Sequence, residues 1–475
     1  MVDGLSLYAY PAPASGSVLT PDARTVGLFS PLTNANGTPY MVGYQYLDLV
    51  RLFVDTVNAR PAMAGKPISV LLVDTKFTYD TAAEAATLFT QGLSSSLLGT
   101  VGDRYSSVTL PEATLTGVVR LPQVGYGSTT SALSDKARFP SFLRTIPSDR
   151  LHARAIAELV KYYNWDSVNT VNSNDAYGNG CMADFAAYAA ELGITIATGP
   201  FTVTVNTPTA AELDALEAGL EAAGSPKVTV MCAHRPEAIA VLERAKTAGL
   251  LVTGSAWVTG KDSFDFKAGV DTDARGDANV LGPVPKFFFT NPGSDAWTAL
   301  QAAYEALTGP YEDGMAATGA NERIPPTNGP YLMDAIDTYA RALEGGASAA
   351  YADRAALLTS MKERTFTGMT GTVSFDANGD RCGVAAAGGG DRAWFCWDAR
   401  VWSCWRGCCL IWSLAVMGRC CGVRLLGAGR VGGWAQDERV RYHEHVEDGG
   451  WLCVVPGGCG LVGADDGDGL WQLCV

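Results

Sequence analysis

The 475-residue chain is poor in histidine, in long apolar runs, in basic charge and, over most of its length, in cysteine. The four histidines form no Ser/His/Asp set and no metal-spaced Cys/His group, which argues against hydrolytic or zinc chemistry. No enzyme activity, cofactor or metal is therefore expected. No run of about 18 uncharged apolar residues exists; the nearest, 407–418, is flanked by Arg406 and Arg419 and is too short to span a bilayer. The first 23 residues contain neither a basic n-region nor a long apolar h-region, so neither signal peptide nor membrane anchor is legible. Lysine and arginine number 35 against 49 aspartates and glutamates, and a net charge of −14 excludes a polyanion-binding surface such as one for nucleic acid. Only Cys181, Cys232 and Cys382 precede residue 383, whereas nine cysteines follow it. One average cannot describe both parts.

What is present is a long alternation of strand and helix signals, on a chain long enough for two or three domains. Thr25–Ser30 reads as a short strand ending in a Pro/Asn/Gly loop, and Tyr46, Leu49, Val50, Phe53 and Val57 recur at helical spacing. Ile68–Val73 is the next strand, Thr81–Glu84 has the form of a capping box, and Leu97–Val101 is a third strand followed by the turn containing Ser106 and Ser107. The alternation restarts beyond Ser148, a helix N-cap. Helices are expected at 182–192, 211–222, 236–248, 294–307, 331–343 and 351–364, with strands at 167–171, 194–196 and 227–231. Polar turns after successive short strands mark a ligand cleft at the carboxyl ends of a parallel sheet. The densest such chemistry lies between Leu121 and Gly180.

Three strings there, PQVGYGSTTSALSDKARFPSFLRTIPSD, AIAELVKYYNWDSV and AYGNG, are supported by WVTGKDS and GMTGTVSFDANGD further on. Together they resemble the ligand-binding region shared by class C G-protein-coupled receptors and natriuretic-peptide-type receptors, itself similar to bacterial leucine/isoleucine/valine-binding proteins. The resemblance covers roughly residues 24 to 382. It implies an α/β fold of two doubly wound parallel-sheet lobes joined by three crossovers, the type I periplasmic-binding-protein-like or Venus flytrap architecture, followed by an irregular C-terminal tail. The implied division is an N-terminal extension 1–23 and a bilobed domain 24–384. Lobe 1 takes about 24–146 and 291–363, and lobe 2 about 147–290 and 364–384. Residues 385–475 form a Cys/Trp/Gly-rich tail.

Residue by residue, the glutamate-receptor pattern places Ser106, Gly127, Ser128 and Thr129 at the ligand α-carboxylate, where hydroxyls and free amides suit an anion. Gly127 stands where the family has a serine. Asp149 matches the acid that receives the ligand ammonium, and Tyr177 an aromatic wall over the ligand. Read on their own, Ser148 and Asp149 also suit a helix N-cap and first-turn acid, Ser106 and Thr129 turn satisfaction, and Tyr177 packing. Ser255 replaces a second ammonium-binding acid and Asn328 a lysine for the distal carboxylate, so glutamate itself is not expected. The resemblance implies a small amino-acid-like or carboxylated ligand, pairing as a homodimer or heterodimer through lobe 1, and a place on the extracellular face of a membrane. A soluble solute-binding protein of a branched-chain amino-acid-type transporter is the competing reading.

Two motifs are discounted. Asp376-Ala-Asn378-Gly-Asp380 starts like a calcium loop, but Arg381 stands where that loop needs glycine and Ala387 where it needs glutamate, so a hairpin turn is expected. Gly427, Gly429 and Gly432 spell a dinucleotide fingerprint without the apolar helix it requires. Asn36-Gly37-Thr38 is a glycosylation sequon, relevant to an exported chain. Residues 384–475 have no lysine and eight of the eleven tryptophans, and are read as foreign to the family: disordered, or a mispredicted or read-through segment.

Overall fold

The computed structural model describes residues 5–11, 24–224, 227–251, 254–259, 279–285, 295–307, 326–345 and 353–382, with further strands at 397–405, 408–416, 441–443, 450–455, 459–464 and 471–474. Residues 260–263 of the WVTGKDS string, Ala387 and the Gly427–Gly432 triplet lie outside the described residues.

The first sheet is built from β2 (Thr25–Ser30), β3 (Ser69–Asp74), β4 (Leu97–Val101), β5 (Gln123–Gly125) and β6 (Phe142–Arg144), parallel in the order β3-β2-β4-β5-β6. A strand from the N-terminal extension, β1 (Leu7–Tyr10), adds antiparallel to β3 with Leu7 opposite Val73. All six residues of β2 are buried, because helices cover both faces of the sheet. Side-chain alternation sorts its residues between two cores. Val26 and Leu28 join Val70 and Leu72 beneath α1 (Met41–Asn58) and α9 (Gly329–Glu344). Phe29 joins Leu71 and Val73 beneath α2 (Tyr79–Thr87), against Ala85, Ala86 and Phe89. Gly27 faces the second of these cores, where a Cβ would meet the Phe89 ring at 2.6 Å.

The second sheet repeats the plan with β7 (Ser167–Ser173), β8 (Thr195–Val203), β9 (Val228–Cys232), β10 (Ala256–Thr259) and β11 (Asn279–Pro285) in the order β8-β7-β9-β10-β11, again parallel. In each sheet the strand first in sequence lies second in space, so the winding reverses once, between β2 and β4 and between β7 and β9. That reversal defines a doubly wound sheet, and ligands of such sheets bind outside the strands' carboxyl ends at the reversal. The remaining helices are α3 (Ser106–Val118), α4 (Asp149–Tyr162), α5 (Ala176–Leu192), α6 (Ala210–Ala223), α7 (Arg235–Thr247), α8 (Asp295–Glu305) and α10 (Arg354–Glu363). Further on, β12 (Phe366–Gly368) and β13 (Gly371–Val373) form a hairpin. Next, β14 (Trp397–Trp405) and β15 (Cys408–Val416) extend the second sheet antiparallel, and four later strands form a sheet of their own.

Local capping shifted two helix starts. The expected box at Thr81–Glu84 is displaced: Thr78 caps α2, its Oγ1 accepting the Thr81 N–H at 3.1 Å. A complete capping box occurs instead at Thr209 and Glu212 of α6. Helix α5 begins six residues before the expected Met182, because Asp175 Oδ1 accepts the Gly178 N–H at 2.8 Å and carries the helix through two glycines.

Two compact units emerge. The first comprises residues 1–153, 175–184 and 286–395; the second comprises 154–174, 185–285 and 396–475. Residues 147–153, 175–184 and 364–384 thus group with the first sheet.

Candidate functional site

All six candidate ligand residues fall in the first unit. They occupy the loops that leave the carboxyl ends of its strands, together with the segment that opens α5. Ser106 is the first residue of α3, 3% exposed, and its Oγ accepts the Thr130 N–H at 3.3 Å. Across from it runs the turn 127–130 after β5. Gly127 is there because a Cβ would stand 2.6 Å from both Cα and O of Arg104. The close approach of two backbones requires a residue without a Cβ at this position. Ser128 is fully buried and turns inward: its Oγ donates to the Asp103 carbonyl at 3.0 Å and is bonded to Thr109 Oγ1. That hydroxyl holds the turn to the 102–109 segment.

Thr129 and Asp149 are brought together by a main-chain bond, Asp149 N–H to Thr129 carbonyl at 2.7 Å. Asp149 is also the first residue of α4, and Ser148 Oγ accepts the Arg150 N–H at 3.3 Å as the expected cap. Its carboxylate therefore sits at the positive end of a helix dipole. Tyr177, the second residue of α5, is 1% exposed. Its helix lies against the same turn, since a Cβ on Gly180 would come within 2.9 Å of Thr130 Oγ1.

Sequence reasoning missed the group that shapes this turn. Arg144, at the end of β6, is completely buried. Its Nη1 donates to the carbonyls of Thr129 at 2.9 Å and Thr130 at 2.8 Å, its Nε pairs with Asp380 at 2.6 Å, and its Nη2 bonds Ser134 Oγ. With both carbonyls held inward, the opposite side of each peptide is left for hydroxyls and amides. Asp380 belongs to the expected hairpin turn: Asp376 N–H meets the Asp380 carbonyl at 2.9 Å, and Ser134 donates to the other Asp380 oxygen at 2.7 Å. In the sequence, an arginine closing the short apolar run FLR is the signal for it.

Beneath the turn lies a buried acidic pair. Asp103 Oδ2 accepts from Thr75 Oγ1 at 2.6 Å, yet desolvation raises its pKa to about 7. Glu112 accepts from Gln123 Nε2 at 3.3 Å and is raised well above the usual carboxylate range, first by burial and then by Asp103. Of the altered positions, Ser255 and Asn328 are both buried, and Asn328 precedes α9 without capping it through its side chain. Cys181 and Cys232 are each disulfide-bonded, and Cys382 is a free thiol. Among the described residues no group of three or more His, Cys, Asp or Glu could hold a metal ion, and no helix is long and apolar enough to cross a membrane.

Residues 50–385, most of the chain, match the model of the receptor family ligand binding region. The chain belongs to this family. As a receptor-family ligand-binding region it has the type I periplasmic-binding-protein-like, Venus flytrap architecture of class C receptors. It is 28% identical over 296 residues to a metabotropic glutamate receptor-like protein E of Dictyostelium discoideum, covering 60% of this chain and 34% of that protein. It is 30% identical over 257 residues to a metabotropic glutamate receptor of Drosophila melanogaster, covering 47% of this chain and 26% of that protein. The ligand-binding region thus spans about a third or less of the relatives it matches.

Proposed function

We propose that the chain is the ligand-binding ectodomain of a class C-like cell-surface receptor, and that it closes, clamshell fashion, on a small amino-acid-like or carboxylated ligand. One observation carries the reading. Ser106, Thr129 and Asp149 converge at the carboxyl edge of a parallel sheet, on a turn whose carbonyls are withdrawn by a buried arginine. The Ser106 and Thr129 hydroxyls with nearby N–H groups hold the carboxylate; Asp149 holds the ammonium; Tyr177 covers the ligand. Closure is a population shift, and inverting a 1:99 equilibrium takes about 5.5 kcal/mol of differential affinity.

A place on the extracellular face of a membrane is supported by the disulfide-bonded Cys181 and Cys232 and by an exposed Asn36-Gly37-Thr38 sequon. Pairing of two copies, or of two related chains, through the first unit is supported by Tyr79 on α2 and Val118 on α3. These are 64% and 77% exposed on neighbouring helices.

The test is a thermal-shift screen against amino acids and small carboxylates, because a ligand of the native state raises stability by mass action. A shift lost in Ser106→Ala and Asp149→Asn is expected. No shift with any carboxylate would end the proposal.

A further inference from the structure

Two carboxyl groups are sealed beneath the turn that carries Ser106 and Thr129. Asp103 follows β4 and Glu112 lies on the second turn of α3; both are 0% exposed, as are Thr75, Thr109, Gln123 and Ser128. Gln123 bridges the two segments, its Nε2 donating to the Gly102 carbonyl at 2.9 Å and to Glu112 Oε2 at 3.3 Å. The Asp103 N–H faces the Glu112 carboxyl but is taken by Thr109 Oγ1 at 2.9 Å. Glu112 Oε1 is left, among the described residues, without a hydrogen-bond partner. A fully buried, ionised oxygen in that position is far costlier than a protonated one, so Glu112 keeps its proton.

Asp103 is placed differently. Thr75 Oγ1 donates to its Oδ2 at 2.6 Å and the Arg104 N–H bonds its Oδ1, so either charge state is served. The charged and titratable groups facing it are Arg104, Glu112, Tyr46 of α1 and Tyr126 at the end of the β5 turn. Burial keeps both tyrosines neutral, and the Arg104 guanidinium is engaged with the Tyr40 hydroxyl at 2.5 Å. The main chain of Asp103 also holds the turn directly, its carbonyl accepting Ser128 Oγ at 3.0 Å, while the next residue is the one whose backbone abuts Gly127. A charge on Asp103 is therefore a charge next to the turn.

We propose that Asp103, beside a Glu112 that stays protonated, is a pH-sensitive switch on this turn: neutral, it lets the turn hold an anion, and ionised, it weakens that hold. The inference rests on the carboxylate reading of Ser106 and Thr129. Burial brings the Asp103 step to about pH 7, where the switch can be thrown. Linkage fixes the sign. A bound anion favours the neutral form of Asp103, so binding takes up a proton and affinity falls as pH rises through that step. A shift of about one unit in the Asp103 step on binding corresponds to about tenfold in affinity.

Calorimetric titration of the full chain with γ-aminobutyrate and L-alanine, from about pH 5.5 to about pH 8.5, tests the switch. Binding about tenfold weaker at the upper end is expected, with proton uptake near pH 7 read from buffers of different ionisation heat. Asp103→Asn should bind with one affinity across the range, whereas Glu112→Gln, which imitates the protonated acid, should keep the pH dependence. Titration of Asp149 would give the opposite slope, because protonating it removes the partner of the ammonium. A flat or inverted profile in the parent, or an undiminished slope in Asp103→Asn, would overturn the switch. Should Asp103→Asn fail to fold, the parent's buffer heats still decide, since no proton uptake near pH 7 would overturn it as well. Binding that is flat with pH but lost in Ser106→Ala would overturn the switch and leave the carboxylate reading standing. Failure of both probes to bind at every pH would overturn the two together.

Discussion

Arg144→Met removes the guanidinium that ties the turn 129–130 to the Asp376–Asp380 hairpin while keeping a stem of similar length. Four groups lose a donor: the carbonyls of Thr129 and Thr130, Ser134 Oγ and Asp380. Breaking a buried pair from one side costs about 3–5 kcal/mol, because the remaining charge stays where water cannot reach it. Asp380 is 13% exposed and keeps the Ser134 bond at 2.7 Å, which places the cost near the lower end, about 3 kcal/mol. For a unit of this size each kcal/mol lowers the midpoint by about 2–4 °C, so a drop of about 6–12 °C is expected by scanning calorimetry. Arg144→Lys should fall between, since one ammonium can reach Asp380 but cannot serve both carbonyls. Adding Asp380→Leu to Arg144→Met should restore part of the loss by removing the stranded charge. A midpoint for Arg144→Met within 2 °C of the parent would refute this account of the turn.

Burial holds Asp103 near pKa 7, above its unfolded value, so its contribution to stability is fully present below about pH 4 and is lost as pH rises to about 7. Asp103→Asn should flatten that part of the stability–pH curve; an unchanged slope in urea titrations from pH 4 to 7 would count against it. Gly127→Ser should destabilise by about 1–3 kcal/mol, because its Cβ overlaps the Arg104 backbone at 2.6 Å. A neutral or stabilising result in thermal melts would show that the two segments part easily. Tyr79→Lys combined with Val118→Glu should shift any dimer seen by sedimentation to monomer without lowering the midpoint, as both side chains are exposed. Persistence of the dimer would move the interface elsewhere.

Much of the fold was legible in the chain because its signals are local. Short strand-like runs marked β2, β4, β7 and β9 to within about two residues, and 3.6-residue stripes marked α1, α4 and α9. Helix starts were less secure, since a cap is a single hydrogen bond: Thr78 took the place expected of Thr81, and Asp175 extended α5. β1 was hidden, because a four-residue edge strand declares itself only through its partner β3. The strings around Leu121–Gly180 located the candidate site by resemblance, and the residues themselves named a chemistry of hydroxyls and one acid.

What the sequence by itself determined, then, was the order of elements, the family, and the loops that make up the candidate site, because spacing and turn chemistry are written residue by residue. Only the tertiary structure decided what each side chain does there. Ser128 spends its hydroxyl inward on Asp103, Gly127 makes room for Arg104, and Arg144 reaches Asp380, 236 positions away, to shape the turn. It also joined Thr75, which follows β3, to Asp103, which follows β4, on one edge. Contacts of that kind depend on where a doubly wound sheet reverses, and a reversal is a property of strand order in space, which no local stretch of sequence carries.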